Sequence, residues 1–258
     1  CIRDRYWSYP VRDENRLVGS VVSFMDISER KAAQKALLLK NEELQQFVYT
    51  VSHNLKSPLI TISSFVEMVQ KDIASGNRER LDKSLNFIRG AITKMDQLIA
   101  ALLRLSRAGQ QDLKPQHISL QSVVGSSLTA VAGPLKQYGI NVEVKPLELQ
   151  LVGDPLQLGQ IWQNLIENAI KYRGDNPTPT IEIGVDDTKK IPEFYVCDNG
   201  IGIAPKHAER VFGIFSQLHP GSDGCGLGLA LVKKIVECYQ GKIRVESQGE
   251  GQGSCFRF

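Results

Sequence analysis

A long segment without glycine or proline, running from Ser28 to Lys56, constrains this chain more than any other feature. Such a segment predicts a helix, with Asp26 or Ser28 as its N-cap. Its apolar residues recur at steps of four, three and four, at Leu44, Val48, Val51 and Leu55. This spacing predicts the seam of a coiled coil or a helical bundle.

Pro58 is expected to kink this helix rather than end it, because the apolar pattern resumes at Ile60 and continues to Val69. After a turn around Gly76, further apolar residues at helical spacing predict a second long helix; they are Leu81, Leu85, Ile88, Ile92, Met95, Ile99 and Leu102. The two helices should form an antiparallel hairpin with an open apolar seam on each helix. A four-helix bundle formed by a homodimer is the least costly way to cover both seams.

The second half of the chain has the mixed pattern of an α+β sandwich. Short β-rich runs occur at residues 140–144, 180–185, 193–197, 242–247 and 254–258. One helix is predicted to begin with Asp154 as N-cap and Pro155 at its first position, and to run through Tyr172. Another is predicted over residues 226–240, ending at Gly241.

Composition argues against several classes of protein. The 31 basic and 28 acidic residues give a formal charge of +3, so we expect no nucleic acid partner and no anionic membrane surface. No apolar run approaches the roughly 20 residues that span a bilayer, so the fragment is expected to be cytoplasmic and without membrane contact. The five cysteines are Cys1, Cys197, Cys225, Cys238 and Cys255. They lie far apart without a CxxC pair, which favours reduced thiols over a disulfide or a metal site.

The helix predicted after Asp154 carries two different stripes. The apolar stripe contains Leu158, Ile161, Leu165 and Ala169. Asn164, Asn168 and Lys171 share a separate polar stripe. By itself, such a polar stripe is commonly only a solvated face.

Two glycine-rich segments follow this helix. Residues 198–203, DNGIGI, come directly after a predicted strand, so Asp198 lies in a turn whose glycines let a ligand approach the backbone. Residues 224–228, GCGLG, open the next predicted helix, and backbone amides at a helix N-terminus suit polyphosphate. One such segment alone would be a weak indication, but the ordered set is much stronger.

This ordered set of residues 164–172, 198–203 and 224–236 resembles the ATP-binding catalytic domain of histidine kinases. That domain has the GHKL fold, an α/β sandwich shared with gyrase, heat-shock chaperones and mismatch-repair ATPases. The resemblance implies ATP and Mg²⁺ as ligands. It covers nearly the whole chain.

The polar stripe lies in NLIENAIKY, which is similar to the N box of this family. The resemblance implies that Asn168 binds Mg²⁺ and that Asn164 supports the metal and the phosphates. It also implies that Lys171 contacts phosphate oxygens and that Tyr172 flanks the nucleotide.

The glycine-rich segments are similar to further motifs of the family. In DNGIGI, Asp198 would accept a hydrogen bond from the adenine amino group, and Gly200 and Gly202 would shape the pocket and the hinge of its lid. The segment VFGIF, ending at Phe215, resembles the F box of that mobile lid. The second glycine box is matched by Gly224, Gly226, Leu227 and Gly228. Residues 251–256 resemble the final glycine-containing strand.

Residues 47–59, FVYTVSHNLKSPL, resemble the H box, which implies that His53 is the phosphoacceptor. His53 lies two residues from both Val51 and Leu55, about 200° from each around the helix, so it should point out of the bundle. Imidazole is largely neutral at cytosolic pH and offers a lone pair to the γ-phosphorus of ATP. The phosphoryl group would then pass to an aspartate on the receiver domain of a response regulator.

One position departs from the pattern of the family. Most members have Asp or Glu directly after the histidine, whereas this chain has Asn54. A carboxamide can hydrogen-bond the ring but cannot act as a base, and general-base help is typically worth about 10² to 10⁴ in rate. We therefore expect an attenuated kinase. Ser57 stands where relatives that act as phosphatases have Thr or Asn, so phosphatase activity is also in doubt.

Two other functions remain open from the sequence alone. A dimeric scaffold that binds nucleotide only as a conformational ligand is favoured by Asn54. A chaperone-like or topoisomerase-like ATPase is disfavoured, because those enzymes have a water-activating Glu at the position of Asn164.

The sequence predicts three parts. Two strands at residues 5–12 and 17–26, with the linker after them, resemble the end of a PAS domain, which implies an upstream sensor domain. The expected domains are the PAS tail at 1–27, the dimerisation and phosphotransfer hairpin at 28–110, and the ATP-binding catalytic domain at 111–258.

Overall fold

The chain divides into two compact units, residues 1–56 and 57–258. The computed structural model describes residues 4–14, 16–108, 115–188, 191–218 and 225–258. The N-terminal unit holds an antiparallel pair of strands, β1 (Asp4–Asp13) and β2 (Arg16–Asp26), and the first part of helix α1 (Ser28–Ser75). The two predicted strands are confirmed. Asp26 caps α1, since its Oδ1 accepts a hydrogen bond from the Ser28 N–H at 2.8 Å.

Helix α1 continues through Pro58, as predicted, and is followed by α2 (Arg78–Arg107). Gly76 forms the turn between them with φ at +70°, a conformation that glycine adopts without a steric penalty. Asn77 then caps α2, because its side chain accepts a hydrogen bond from the Arg80 N–H at 3.1 Å. The predicted turn is therefore confirmed, and Gly76 and Asn77 define the two helix ends at it.

The second half of α1 packs against α2 as an antiparallel hairpin. Phe65 of α1 stacks on Phe87 of α2, with ring centroids 4.5 Å apart. Close to the turn, the Ser84 hydroxyl donates to the buried Asp72 carboxylate at 3.2 Å. Although α1 has 48 residues, no helix in the described part of the chain is apolar enough over a sufficient length to cross a membrane.

The C-terminal part is a two-layer α/β sandwich, as predicted. Its elements are β3 (Gln116–Ser119), α3 (Leu120–Ala130), α4 (Ala132–Gln137), β4 (Asn141–Val144), β5 (Gln150–Gly153), α5 (Pro155–Lys171), β6 (Thr180–Asp186), β7 (Glu193–Asp198), 3₁₀ turns at Pro205–His207 and Arg210–Phe212, α6 (Gly228–Cys238), β8 (Arg244–Glu246) and β9 (Ser254–Arg257). The main sheet has the order β4-β6-β7-β9-β8, with only β4 and β6 parallel within it. Strands β3 and β5 form a separate antiparallel pair.

The core lies between the main sheet and helices α3, α5 and α6. Trp162 of α5 is only 1% exposed and packs edge-to-face on Phe194 and Phe258, with centroids 6.0 and 5.1 Å away. Val232 and Ile235 of α6 are completely buried. Each such side chain contributes about 1.5–3 kcal/mol through burial. This packing fixes α5 and α6, which carry two of the predicted nucleotide motifs, against the sheet.

Helix α6 differs from its predicted bounds at both ends. It begins at Gly228, because Gly226 has φ at +67° and cannot belong to a right-handed helix. At the other end Gln240, rather than Gly241, takes the left-handed conformation, with φ at +60°. The Gly241 N–H donates to the Val236 carbonyl at 2.9 Å, which places glycine one residue beyond the left-handed position.

The expectation that all cysteines are reduced thiols is wrong for one pair. Cys197 in β7 and Cys255 in β9 form a disulfide across 58 residues of sequence. They are direct partners in the antiparallel register, so the sheet brings their side chains together on one face. Cys225 and Cys238 are free, and Cys1 lies outside the described residues.

Candidate nucleotide-binding site

A cavity of about 910 Å³ opens beside α5, α6 and the end of β7. It is lined by nine of the residues that the sequence predicts to bind nucleotide, namely Asn164, Asn168, Lys171, Tyr172, Asp198, Gly202, Gly226, Leu227 and Gly228. Its volume lies within the range of about 300–1,000 Å³ that is typical of small-molecule sites. The fold therefore brings three separate sequence motifs to one place.

The two asparagines of the polar stripe lie one helical turn apart on α5. The Asn164 side-chain N–H donates to the Gln160 carbonyl at 2.7 Å, which leaves its Oδ1 as an acceptor. A Cβ on Gly228 would lie 2.7 Å from this oxygen, so glycine keeps the start of α6 open beside Asn164. The Asn168 Nδ2 is buried without a hydrogen-bond partner in the described structure. An unpaired buried donor costs about 1–3 kcal/mol, so this amide is suited to a ligand oxygen.

Lys171 and Tyr172 contribute to the cavity wall at the end of α5. The Lys171 ammonium lies 4.7 Å from the centroid of the Tyr172 ring, a distance typical of a cation–π contact. Lys171 makes no ion pair within the described ranges. Its charge is therefore available to an anionic ligand.

Asp198 ends strand β7, and its carboxylate is held by two hydrogen bonds. The Gly200 N–H donates to Oδ1 at 2.9 Å and the Ser254 hydroxyl donates to Oδ2 at 3.1 Å. Burial raises the pKa of the Asp198 carboxyl above its ordinary value, and these hydrogen bonds oppose that shift. The carboxylate oxygens have further lone pairs, so this fixed group can accept a hydrogen bond from a ligand amino group.

The glycines after Asp198 are required by close contacts between backbone segments. A Cβ on Gly200 would lie 2.2 Å from the Tyr172 carbonyl oxygen, so the turn packs directly on the end of α5. Gly202 has φ at +70°, and a Cβ there would lie 2.0 Å from the Gly249 carbonyl oxygen. Gly200 therefore packs against the end of α5 and is not a lining residue, whereas Gly202 lines the cavity.

The segment predicted to be the F box is partly a core element. Phe212 is buried and packs edge-to-face on Phe256, with centroids 6.2 Å apart. Phe215 is not among the lining residues; its backbone lies against Gly226, where a Cβ would be 2.8 Å from the Phe215 carbonyl carbon. Gly224 of the second glycine box lies outside the described residues.

Sequence reasoning missed one wall of the cavity. Helix α2 supplies Gly90, Thr93, Lys94, Gln97, Ala101 and Arg104. No motif marks these residues, because the face of α2 that meets the sandwich is set by the packing of Leu105 and Ala108 against its core. Ser254 of β9 was also missed, although its position in the final glycine-containing segment was a usable signal.

The predicted phosphoacceptor lies on α1. His53 is exposed, as predicted, whereas Val51 and Leu55 are half-buried. Asn54 is half-buried and Ser57 is exposed. The imidazole is therefore accessible to a phosphoryl donor and to a protein partner.

Two protein families match separate parts of the chain. Residues 153–258 match the family of histidine kinase-, DNA gyrase B- and HSP90-like ATPases. Residues 43–111 match the His Kinase A (phospho-acceptor) domain. The first match contains the α5, β7 and α6 motifs of the cavity, and the second contains His53.

Two relatives are similar to this protein over most of its chain. The methanogenesis regulatory histidine kinase FilI of Methanothrix harundinacea is 40% identical over 270 residues, covering 100% of this chain and 30% of that protein. Cyanobacterial phytochrome B of Nostoc sp. is 40% identical over 226 residues, covering 84% of this chain and 29% of that protein. The chain thus spans less than a third of the length of these two relatives.

A solved structure supports the fold of the whole chain. Histidine kinase ThkA, in a complex with response regulator protein TrrA, aligns with a TM-score of 0.69 at 21% identity, covering 98% of this chain and 73% of that chain. The two matched domains and the 40% identical relatives place the chain in a known family. The chain belongs to the histidine kinases, and it combines their phospho-acceptor domain with their ATPase domain.

Proposed function

We propose that this chain binds Mg-ATP in the cavity beside α5 and α6 and transfers the γ-phosphoryl group to His53. The main support for the proposal is that the three nucleotide motifs line one cavity. Asn168 and Lys171 would bind the metal and the phosphates, together with the backbone amides at the start of α6. Asp198 would accept a hydrogen bond from the adenine amino group.

The chemistry of the lining residues fits these ligands. The unpartnered Asn168 Nδ2 and the absence of a side chain at Gly228 leave donors and space for phosphate oxygens. The Asn168 Oδ1 is the kind of hard oxygen ligand that Mg²⁺ accepts alongside nucleotide phosphates and water. When bound, Mg²⁺ neutralises charge that develops on the phosphates during transfer.

In the transfer step, a nitrogen of the His53 imidazole forms a bond to the γ-phosphorus while the bond from that phosphorus to the ADP oxygen breaks. The ring then releases the proton on its other nitrogen. Asn54 can orient the ring through a hydrogen bond but cannot take this proton, so the proton goes to solvent. The kinase is therefore slower than one with a carboxylate at this position.

The hairpin supports a homodimer. Every seventh residue of one α2 stripe is apolar and open to solvent, with Leu85 37%, Ile92 53% and Ile99 44% exposed. A second copy would cover this stripe in a four-helix bundle. Phosphorylated His53 would then donate its phosphoryl group to the receiver domain of a response regulator. Strands β1 and β2 would form the end of an upstream PAS-type sensor domain in the cytoplasm.

Labelling with γ-³²P ATP and Mg²⁺ tests the proposal. We expect acid-labile, base-stable label on the protein, none on His53→Ala, and normal labelling of the matched control His117→Ala, whose histidine is also exposed. Label that persists in His53→Ala would overturn the assignment. Nucleotide binding without any labelling would favour the scaffold function that Asn54 leaves open.

A further inference from the structure

Helix α2 presents two opposite faces to different surroundings. At 100° per residue, the lining residues Gly90, Thr93, Lys94, Gln97, Ala101 and Arg104 fall within about 60° of one line along the helix. The open apolar residues Leu85, Ile92 and Ile99 lie about 180–220° away from that line. The same helix can therefore face a dimer partner on one side and the cavity on the other.

The cavity face of α2 has the chemistry of an anion site. Lys94 and Arg104 carry positive charge, and Thr93 and Gln97 add neutral hydrogen-bond donors. Neither cation is in an ion pair within the part of the chain that the structure describes. Their separation of ten positions corresponds to about 15 Å along the helix, so the two charges flank a long section of the cavity.

The cavity contains few opposing charges. Its lining carboxylates are Glu167 and Asp198. The Glu167 Oε1 already accepts a hydrogen bond from Gln163 at 2.8 Å, and Asp198 is held by Gly200 and Ser254. Together with Lys171, the α2 cations give the cavity an excess of positive charge that a polyphosphate would neutralise.

We propose that Lys94 and Arg104 bind the phosphate chain of a nucleoside triphosphate in this cavity, so that the hairpin helix α2 is a part of the nucleotide site. The inference rests on the proposed function and adds residues from outside the ATPase family match, which begins at residue 153. Because these residues bind phosphate and not the base, their contribution should grow with the charge of the ligand. ATP therefore stabilises the contact between the ATPase domain and α2 more than ADP does.

The test measures the affinities of ATP, ADP and adenosine for the full chain by competition with a fluorescent nucleotide. In Lys94→Gln/Arg104→Gln we expect affinity to fall roughly 10- to 100-fold for ATP, less for ADP and not at all for adenosine. Lys94→Arg/Arg104→Lys, which conserves both charges, should restore most of the ATP affinity. The matched control Arg89→Gln/Arg107→Gln removes two exposed charges that do not line the cavity and lie about 100° around the helix from the central line of the cavity face, and it should bind like wild type.

Three results would overturn the inference. Unchanged ATP affinity in the double glutamine variant, with normal binding by the wild type, would refute the role of α2 while leaving the proposed function intact. An equal loss for adenosine would show a general disturbance rather than phosphate binding. A wild-type chain that binds no ATP would refute both this inference and the proposed function.

Discussion

The ATPase domain and the helical hairpin differ in how far their apolar residues are buried. In the ATPase domain Ile166, Ile183 and Ile235 are completely buried within one chain. In α2 three residues of the predicted apolar stripe stay exposed, namely Leu85, Ile92 and Ile99, whereas the other four are half-buried. The fully buried side chains of α2 are Ser84, Ala91, Leu98 and Ala101. The ATPase domain therefore has its own core, whereas the exposed stripe of the hairpin becomes part of a core only when a partner covers it.

The largest effect should come from the core of the ATPase domain. Trp162→Ala removes an indole that contacts Phe194 and Phe258, and we expect a loss of about 3–5 kcal/mol in the free energy of unfolding. Leu156→Ala, on the same helix but 67% exposed, should change it by less than about 0.5 kcal/mol. Urea titrations of both variants measure the difference. Similar values would mean that this core does not dominate the stability of the domain.

The elements of this core were largely predictable from local signals. The N-cap at Asp154 followed from a carboxylate before Pro155, and its Oδ1 accepts a hydrogen bond from the Leu156 N–H at 2.9 Å, as such a cap requires. Helix α3 was not assigned, because Gly125 and several serines dilute its periodicity.

Features that depend on tertiary packing were not predictable. The disulfide between Cys197 and Cys255 depends on the register of β7 and β9, and nothing in their spacing of 58 residues specifies that register. The cavity wall formed by Lys94 and Arg104 depends likewise on which face of α2 meets the sandwich. Motifs predicted the nucleotide residues of one domain but could not indicate the contribution that we propose from another.

The two regions also differ in whether they contain the catalytic residues that are usual in the family. The nucleotide cavity is lined by all four predicted N-box residues and by most of the predicted glycine-box residues, whereas the hairpin has Asn54 in place of the usual acid. Asn54→Asp introduces a base next to His53, and we expect about 10² faster formation of phosphohistidine. Single-turnover labelling with γ-³²P ATP measures this rate. Asn54→Ser, which adds no base, is the control, and an unchanged rate in Asn54→Asp would mean that proton removal does not limit the transfer.

The smallest effect should appear at the open seam of the hairpin. Ile92 is 53% exposed, so truncation removes apolar surface that a partner would cover, twice in each dimer. We expect Ile92→Ala to weaken the dimer by about 1–2 kcal/mol, or roughly 5- to 30-fold in Kd, measured by sedimentation equilibrium over a range of concentrations. Leu156→Ala, a truncation of an exposed apolar residue outside the hairpin, should leave this Kd unchanged, and both variants should keep normal ATP affinity. If Ile92→Ala instead left the dimer intact but destabilised the folded chain, the seam would be an internal core, and the contrast between the two regions would fail.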